Sequence, residues 1–387
     1  MNGQRKESRS CGISPFIVMD VLEKAQQLEA AGRHIVHLEI GEPDFDTPEP
    51  VKEAMLKALR ENDTHYTHSL GKTELREEIA DYYLRIYNVK ISPEQVLVTS
   101  GTSPAMLLIF SALLNDGDDV IISDPYYACY PNHIKFAGGN PVCVPVREED
   151  GFKYRKSEIE HRLSDRVRAI MVNSPANPTG NVFSAAELSE MASLASENRF
   201  LISDEIYHGL TYEGKDHSIL EFTDQAFVIN GFSKKYAMTG WRLGYVIAPQ
   251  KMMRTMQILQ QNLFISACSF IQSAAIAALR DCDSHVSDMV STYDKRRRYL
   301  LERLGKMGIA PTVLPTGAFY VLANIKEYTD DSYSFAFECL EKAGVAVAPG
   351  IDFGPNCEGY IRISYANSIE NIREGLDRLE QFLAAKK

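Results

Sequence analysis

The chain has 387 residues, 45% of them hydrophobic and 24% charged, with a formal net charge of -11 and a pI near 5.4. That length predicts one large domain plus a smaller one, and the composition excludes a disordered chain. The acidic balance excludes a general nucleic-acid binder, which needs a basic face to neutralise phosphates, and the run Lys295-Arg296-Arg297-Arg298 reads as a solvated helix face.

No window approaches the roughly 18 apolar residues of a membrane span, and the polar N-terminus lacks the apolar stretch of a signal peptide, so the expected location is cytoplasmic. The seven cysteines, Cys11, Cys129, Cys143, Cys268, Cys282, Cys339 and Cys357, are widely separated without a Cys-x-x-Cys pair. They support neither a disulfide framework nor a thiolate zinc site, and His65 with His68 reads as surface, so no metal is expected.

In chain order, the segment 13–40 is too short for a domain and is expected to pack on the C-terminal unit or on a cleft. Short β-branched or aromatic runs follow at 96–99, 120–123, 142–146, 169–173, 200–203, 227–230 and 243–248, each a predicted buried strand. Amphipathic segments alternate with them. One is 184–197, where Ser184 and Glu187 form a capping box and Leu188, Met191 and Ala195 share a face. Alternation of strand and helix predicts a mostly parallel sheet with ligands at the carboxyl ends of its strands. From 283 to 308 and from 368 to 385 the period is helical, with strand-like VLPTGAFYVLANI and GYIRISY between, which predicts a second, α+β unit.

The predicted strand ends carry polar residues. Ser100-Gly101-Thr102-Ser103-Pro104 opens a helix whose free N–H groups suit a phosphate, although a plain N-cap reads equally well. No P-loop lysine and no Gly-x-Gly-x-x-Gly accompany it, which weakens nucleotide readings. Tyr127 in Asp124-Pro125-Tyr126-Tyr127 offers a ring for stacking or for the core. Asn177 sits in the proline-bounded turn NSPANPTG, and Asp204, in SDEIYHG, is a carboxylate at a buried strand end that requires a partner, either a protonated ring nitrogen or an internal cation. In VINGFSKKYAMTGWRLG, Lys234 follows a buried strand, where desolvation lowers an ammonium pKa and makes a nucleophile. A solvated turn at Lys234-Lys235 and a helix-paired Arg242 are the competing reading.

Taken together, SGTS, DPYY, NSPANPTG, SDEIYHG, SKKYAMTGWRLGY and YIRISY, with GEPDFDTPEPV and THYTHSLGKTELREEIA before them, resemble the fold-type-I pyridoxal-phosphate aminotransferases of class I/II, the aspartate-aminotransferase-like group, in order from about 12 to 385. The resemblance implies an α/β fold: a three-layer αβα large domain with a mostly parallel seven-stranded sheet at 41–282, a smaller α+β domain at 283–387, and an N-terminal segment 1–40 packed on the small domain and cleft. It implies pyridoxal 5'-phosphate as cofactor, in a Schiff base with Lys234, which then shuttles a proton.

By the same resemblance Asp204 pairs with the pyridinium nitrogen, Tyr207 and Asn177 bond the ring oxygen, and Tyr127 stacks on the ring. Gly101, Thr102, Ser103, Ser233 and Arg242 surround the phosphate. Arg362 clamps the substrate α-carboxylate beside Gly41 and Asn177. Tyr66 reaches the cofactor phosphate of a neighbouring subunit, residues 262–268 border its pocket, and a homodimer with shared sites follows. Two positions depart from the pattern: Gly231 stands where many members have a serine, and Ser103 where the bacterial aspartate-specific branch often has a lysine. The implied reaction is ping-pong transamination from an L-amino acid such as aspartate or alanine to a 2-oxo acid such as 2-oxoglutarate or pyruvate. The alternatives on the same fold are a C-S β-lyase and a non-catalytic cofactor-binding regulator.

Overall fold

The computed structural model describes residues 8–386. Residues 1–7 of the predicted N-terminal segment and Lys387 of the predicted C-terminal domain lie outside the described residues. The strands among the described residues are β1 (Val36–His37), β2 (Val96–Thr99), β3 (Asp119–Asp124), β4 (Asn140–Pro145), β5 (Val167–Asn173), β6 (Phe200–Asp204), β7 (Ala226–Gly231), β8 (Gly244–Ile247), β9 (Tyr320–Asn324), β10 (Val345–Ala346), β11 (Ala348–Pro349) and β12 (Tyr360–Ser364).

Seven of these form the central sheet, in the order β2-β8-β7-β6-β5-β3-β4. It is parallel except at β8, which runs antiparallel to both β2 and β7. All seven are the strands expected from the apolar runs. Because successive side chains leave opposite faces, the strands feed two cores. Val96, Val98, Ile121, Ile170, Leu201 and Val228 enter one, while Leu97, Ile122, Met171, Ile202, Phe227 and Ile229 enter the other. Helices Thr73–Tyr87 and Ser269–Asp281 pack on the first face, and Thr102–Leu113 and Gln250–Leu263 on the second, giving three layers.

The C-terminal unit carries an antiparallel sheet, β11-β12-β9, in which Arg362 of β12 lies opposite Leu322 and Ala348. Helices Asp283–Met307, Ser332–Ala343 and Ile369–Ala384 supply its core, with Tyr293, Leu300, Phe335, Leu376 and Leu379 all buried. β1 pairs in parallel with β10, Val36 against Val345, so the chain before residue 40 is stitched to this unit. Helix Ile17–Ala30 buries Val21 and Ala25 against Leu340 and Ala346.

Two local expectations are corrected. The helix expected over 184–197 has its capping box, Ser184 with Glu187, but stops at Ala192. There the Ser193 hydroxyl bonds the Glu190 carbonyl, and a Ser196–Arg199 bridge turns the chain into β6. The run 295–298 is not a uniformly solvated face. Arg297 is 2% exposed, holding Glu213, Asp294 and the Pro315 carbonyl, and Arg296 pairs with Asp44. Long cationic stems here pack as much as they solvate, which charge counting does not reveal.

Candidate active site

At the carboxyl end of the sheet the strand ends enclose a cavity of about 300 Å³. β6 delivers Asp204 into it, β5 ends at Asn173, and the turn after β7 brings Ser233 and Lys234. From the second unit β12 contributes Arg362 and β9 contributes Tyr320. Gly41, Thr102, Ser103, Tyr127, Asn177, Tyr207 and Arg242 complete the polar lining, so twelve of the thirteen residues singled out in the sequence meet around this space, counting Gly101 against Arg242. The thirteenth, Tyr66, does not: it is 82% exposed, beside a separate hollow that it shares with His65, Cys268 and Phe270.

Burial dominates the electrostatics. The Asp204 carboxyl is pushed up to about 6 by desolvation, against hydrogen bonds that favour its ionised form. Tyr130 Oη donates to Asp204 Oδ2 at 2.7 Å, and the Ile206 N–H donates to Oδ1 at 3.2 Å. Lys234 is shifted the other way, down to about 8, chiefly by desolvation and further by the positive charges of Arg362 and Arg242, while Glu42 opposes the shift. Its Nζ donates to the Gly41 carbonyl at 2.5 Å. Such an amine is about half free base near pH 8, where a surface lysine is almost fully protonated. Lys235, its neighbour, turns away to donate to Tyr82 Oη at 2.9 Å.

Arg362 is held on several sides. Its Nη1 donates to Asn177 Oδ1 at 2.9 Å, its Nη2 donates to the Glu39 carbonyl, and its guanidinium lies 4.3 Å from the Tyr320 ring centroid. It is 2% exposed, and its buried Nε has no hydrogen-bond partner. Asn177 is fixed in turn, its N–H donating to Asn173 Oδ1 at 2.8 Å. A buried donor left unmade costs free energy, so this cluster is arranged to receive an anionic acceptor.

On the opposite side, helix Thr102–Leu113 points its N-terminus into the cavity. Gly101 has φ of +104°, and a Cβ there would lie 2.7 Å from Arg242 Nη2, so only glycine lets the guanidinium come this close to the helix start. Gly231 has a comparable reason. A Cβ would meet Gly244 Cα and the Leu243 carbonyl at 3.0 Å, leaving no room for a serine, and Ser233 is the hydroxyl that lines the cavity.

These residues fit pyridoxal phosphate by the chemistry of the donor set. A desolvated amine, a buried carboxylate at a strand end, and a guanidinium beside a helix N-terminus are what an aldehyde, a protonated ring nitrogen and a phosphate require. Sequence reasoning missed Tyr130, Asn173 and Tyr320. Tyr320 Oη shares a 2.8 Å hydrogen bond with Tyr207 Oη, so the two phenols line the cavity as a bonded pair. All three sit next to residues that were singled out, yet tyrosines in apolar runs read as core. The apolar lining, Phe16, Val18, Met19, Leu22, Ile40 and Met106, was missed as well.

The family model described as aminotransferase class I and II matches residues 33–379. Among curated relatives, the (5-formylfuran-3-yl)methyl phosphate transaminase of Methanocaldococcus jannaschii is 44% identical over 97% of this chain and 98% of its own. The aspartate aminotransferase of Pyrococcus abyssi is 40% identical over 95% and 96%. Among solved structures, aspartate aminotransferase from Thermus thermophilus with maleate superposes with a TM-score of 0.93 at 38% identity, covering 98% of this chain and all of that one.

Proposed function

The chain belongs to the pyridoxal-phosphate-dependent aminotransferases of class I and II, and from that premise we propose that it moves an amino group from an L-amino acid, aspartate, alanine or similar, to a 2-oxo acid such as 2-oxoglutarate or pyruvate. Both half-reactions use the one cavity, with Lys234 as the covalent anchor and proton carrier. The observation that supports this most is the Lys234 amine, lowered to about 8 and enclosed with Asp204 and Arg362 in the same space.

Bound pyridoxal phosphate supplies the electron sink for the pair left on the substrate α-carbon. With the cofactor bound, Lys234 Nζ would be the residue placed to hold it covalently and to carry the proton taken from the substrate α-carbon. Asp204 keeps a proton on the ring nitrogen. Arg362 holds the substrate carboxylate beside Asn177 and Gly41, fixing which bond faces Lys234. Arg242, Ser233, Ser103, Thr102 and the N–H groups after Gly101 hold the phosphate. Tyr127 would offer a ring face for stacking, and Tyr207, paired with Tyr320, would offer a hydroxyl to the ring oxygen.

The reading includes a homodimer. Tyr66 is exposed near Ser266, Ala267 and Cys268, and Leu263 and Ile265 are 53% and 49% exposed, an apolar surface suited to a second copy. It also includes a cytoplasmic location, supported by seven cysteines that are all free thiols. Among the described residues no helix is long and apolar enough to cross a membrane.

The test is a half-reaction. Alanine or aspartate added to holoprotein without an acceptor should yield one equivalent of 2-oxo acid per bound cofactor and then stop. Continuous release of ammonia and pyruvate from a cysteine conjugate, without that stoichiometric stop, would replace transamination by β-elimination.

A further inference from the structure

On the reading that transamination occurs in this cavity, we infer that it selects substrates with one anionic group, held by Arg362, and an apolar body. This narrows the proposed range: donors with uncharged aliphatic or aromatic side chains are preferred to aspartate, and monocarboxylic 2-oxo acids such as pyruvate are preferred to 2-oxoglutarate.

The cationic groups decide this first. Among the described residues three cations line the cavity, Lys234, Arg242 and Arg362. Lys234 Nζ is bonded to the Gly41 carbonyl and Arg242 lies against Gly101 at the helix N-terminus, while Arg362 has spent two of its five N–H donors, its Nε being without a partner. Once a cofactor phosphate and one carboxylate are bound, none of these three cations remains for a second carboxylate. The other charged groups on the lining are two carboxylates, Asp204, committed to the ring nitrogen, and Glu42, which accepts from the Thr239 hydroxyl and would repel a dicarboxylic substrate. Ser103, exposed in the first turn of helix Thr102–Leu113, brings a hydroxyl and no charge. Enclosing an unpaired carboxylate here is unfavourable.

The apolar groups decide the rest. Phe16, Val18, Met19 and Leu22 present one apolar wall, continued by Ile40 and Met106. The wall is fixed in place: the N–H groups of Ile17 and Val18 donate to the Asp352 carboxylate at 3.0 and 3.1 Å, and the Phe16 ring meets Tyr127 edge-on at 6.1 Å. Met19 is 46% exposed at its margin. An aliphatic or aromatic body would bury this surface.

The experiment compares single half-reactions of the holoenzyme with alanine, leucine, methionine, phenylalanine, aspartate and glutamate, following loss of the bound cofactor's absorption. Leucine, methionine and phenylalanine are expected to react at least about tenfold faster, as kcat/KM, than either dicarboxylate, and pyruvate to outpace 2-oxoglutarate in the reverse direction. Aspartate or glutamate reacting as fast as phenylalanine overturns the inference while leaving transamination intact. If alanine and every other amino acid fail, transamination itself is wrong. Phe16→Lys adds a cation to the wall and should raise the aspartate-to-phenylalanine ratio about tenfold. An unchanged ratio in a folded variant removes the wall from substrate recognition.

Discussion

Two sets of residues wall the cavity, and they are built on different principles. The polar wall is tied together by hydrogen bonds: Tyr130 and the Ile206 N–H hold Asp204, Asn173 holds Asn177, and Asn177 holds Arg362. The wall of Phe16, Val18, Met19 and Leu22 presents apolar side chains, and its hydrogen bonds, to Asp352, are made by its backbone. A bonded wall fixes atoms to fractions of an ångström, which chemistry needs. An apolar wall sorts ligands by shape and charge, which tolerates looser geometry. Substitutions in the first should therefore change rates, and substitutions in the second should change which substrate is used.

The strongest way to break that contrast is at Lys234. Lys234→Ala removes the amine that both anchors and carries the proton, and turnover should fall by about 10⁴-fold or more, since covalent and acid–base contributions are lost together. Gel filtration should also strip the cofactor from the variant. A folded Lys234→Ala protein that keeps within about tenfold of normal turnover would show that the polar wall does not do the chemistry.

Asp204→Asn comes next. It keeps the shape but leaves a ring nitrogen without its counter-charge in a buried site, a loss expected to cost about 10³-fold in turnover. Arg362→Leu should cost roughly 10²-fold in kcat/KM, the worth of a charge-assisted fork, and should affect every carboxylate substrate alike. A uniform loss at Arg362, set against a selective change at Phe16, would sharpen the division between the walls. Both comparisons need only steady-state rates with alanine and phenylalanine.

The two walls were also unequally legible in the sequence. Every central strand could be read, because fully buried parallel strands are short, continuous apolar runs bounded by turns. Asp204, Lys234 and Asn177 were readable since each is a polar residue at the end of such a run, and the family resemblance named Arg362 and Arg242. The apolar wall was not. The expectation for 13–40 went no further than packing on the C-terminal unit or on a cleft, and nothing in the spacing of Ile17–Ala30 says that Val18 and Leu22 line a cavity and not a core. Tyr130 and Tyr320 failed for a similar reason. A buried tyrosine shows its role through the partner of its hydroxyl, and those partners are 74 and 113 residues away along the chain, as is the case for Tyr130 with Asp204 and Tyr320 with Tyr207.

Tyr130 gives the smallest and most diagnostic prediction. Its hydroxyl donates to Asp204 Oδ2 at 2.7 Å, and this bond opposes the burial that raises the Asp204 carboxyl to about 6 in the cofactor-free chain. Tyr130→Phe keeps the ring and its edge-on contact with Tyr127 at 5.3 Å but deletes the donor. A hydrogen bond to a charged group contributes about 1.5 kcal/mol, so the Asp204 pKa should rise by about one unit. Raising the pKa favours the protonated, neutral carboxyl, which cannot pair with a pyridinium. Cofactor affinity, which falls as pH drops through the Asp204 pKa, should then begin to fall about one unit higher in the variant, while at pH 8 the two proteins should bind alike. Equilibrium titration of the apoprotein with pyridoxal phosphate between pH 5 and 8 measures this directly. A purely structural role for Tyr130 would lower the Tm and leave that acid limb where it was, and such a result would place the tyrosine among the packing residues and not the polar wall.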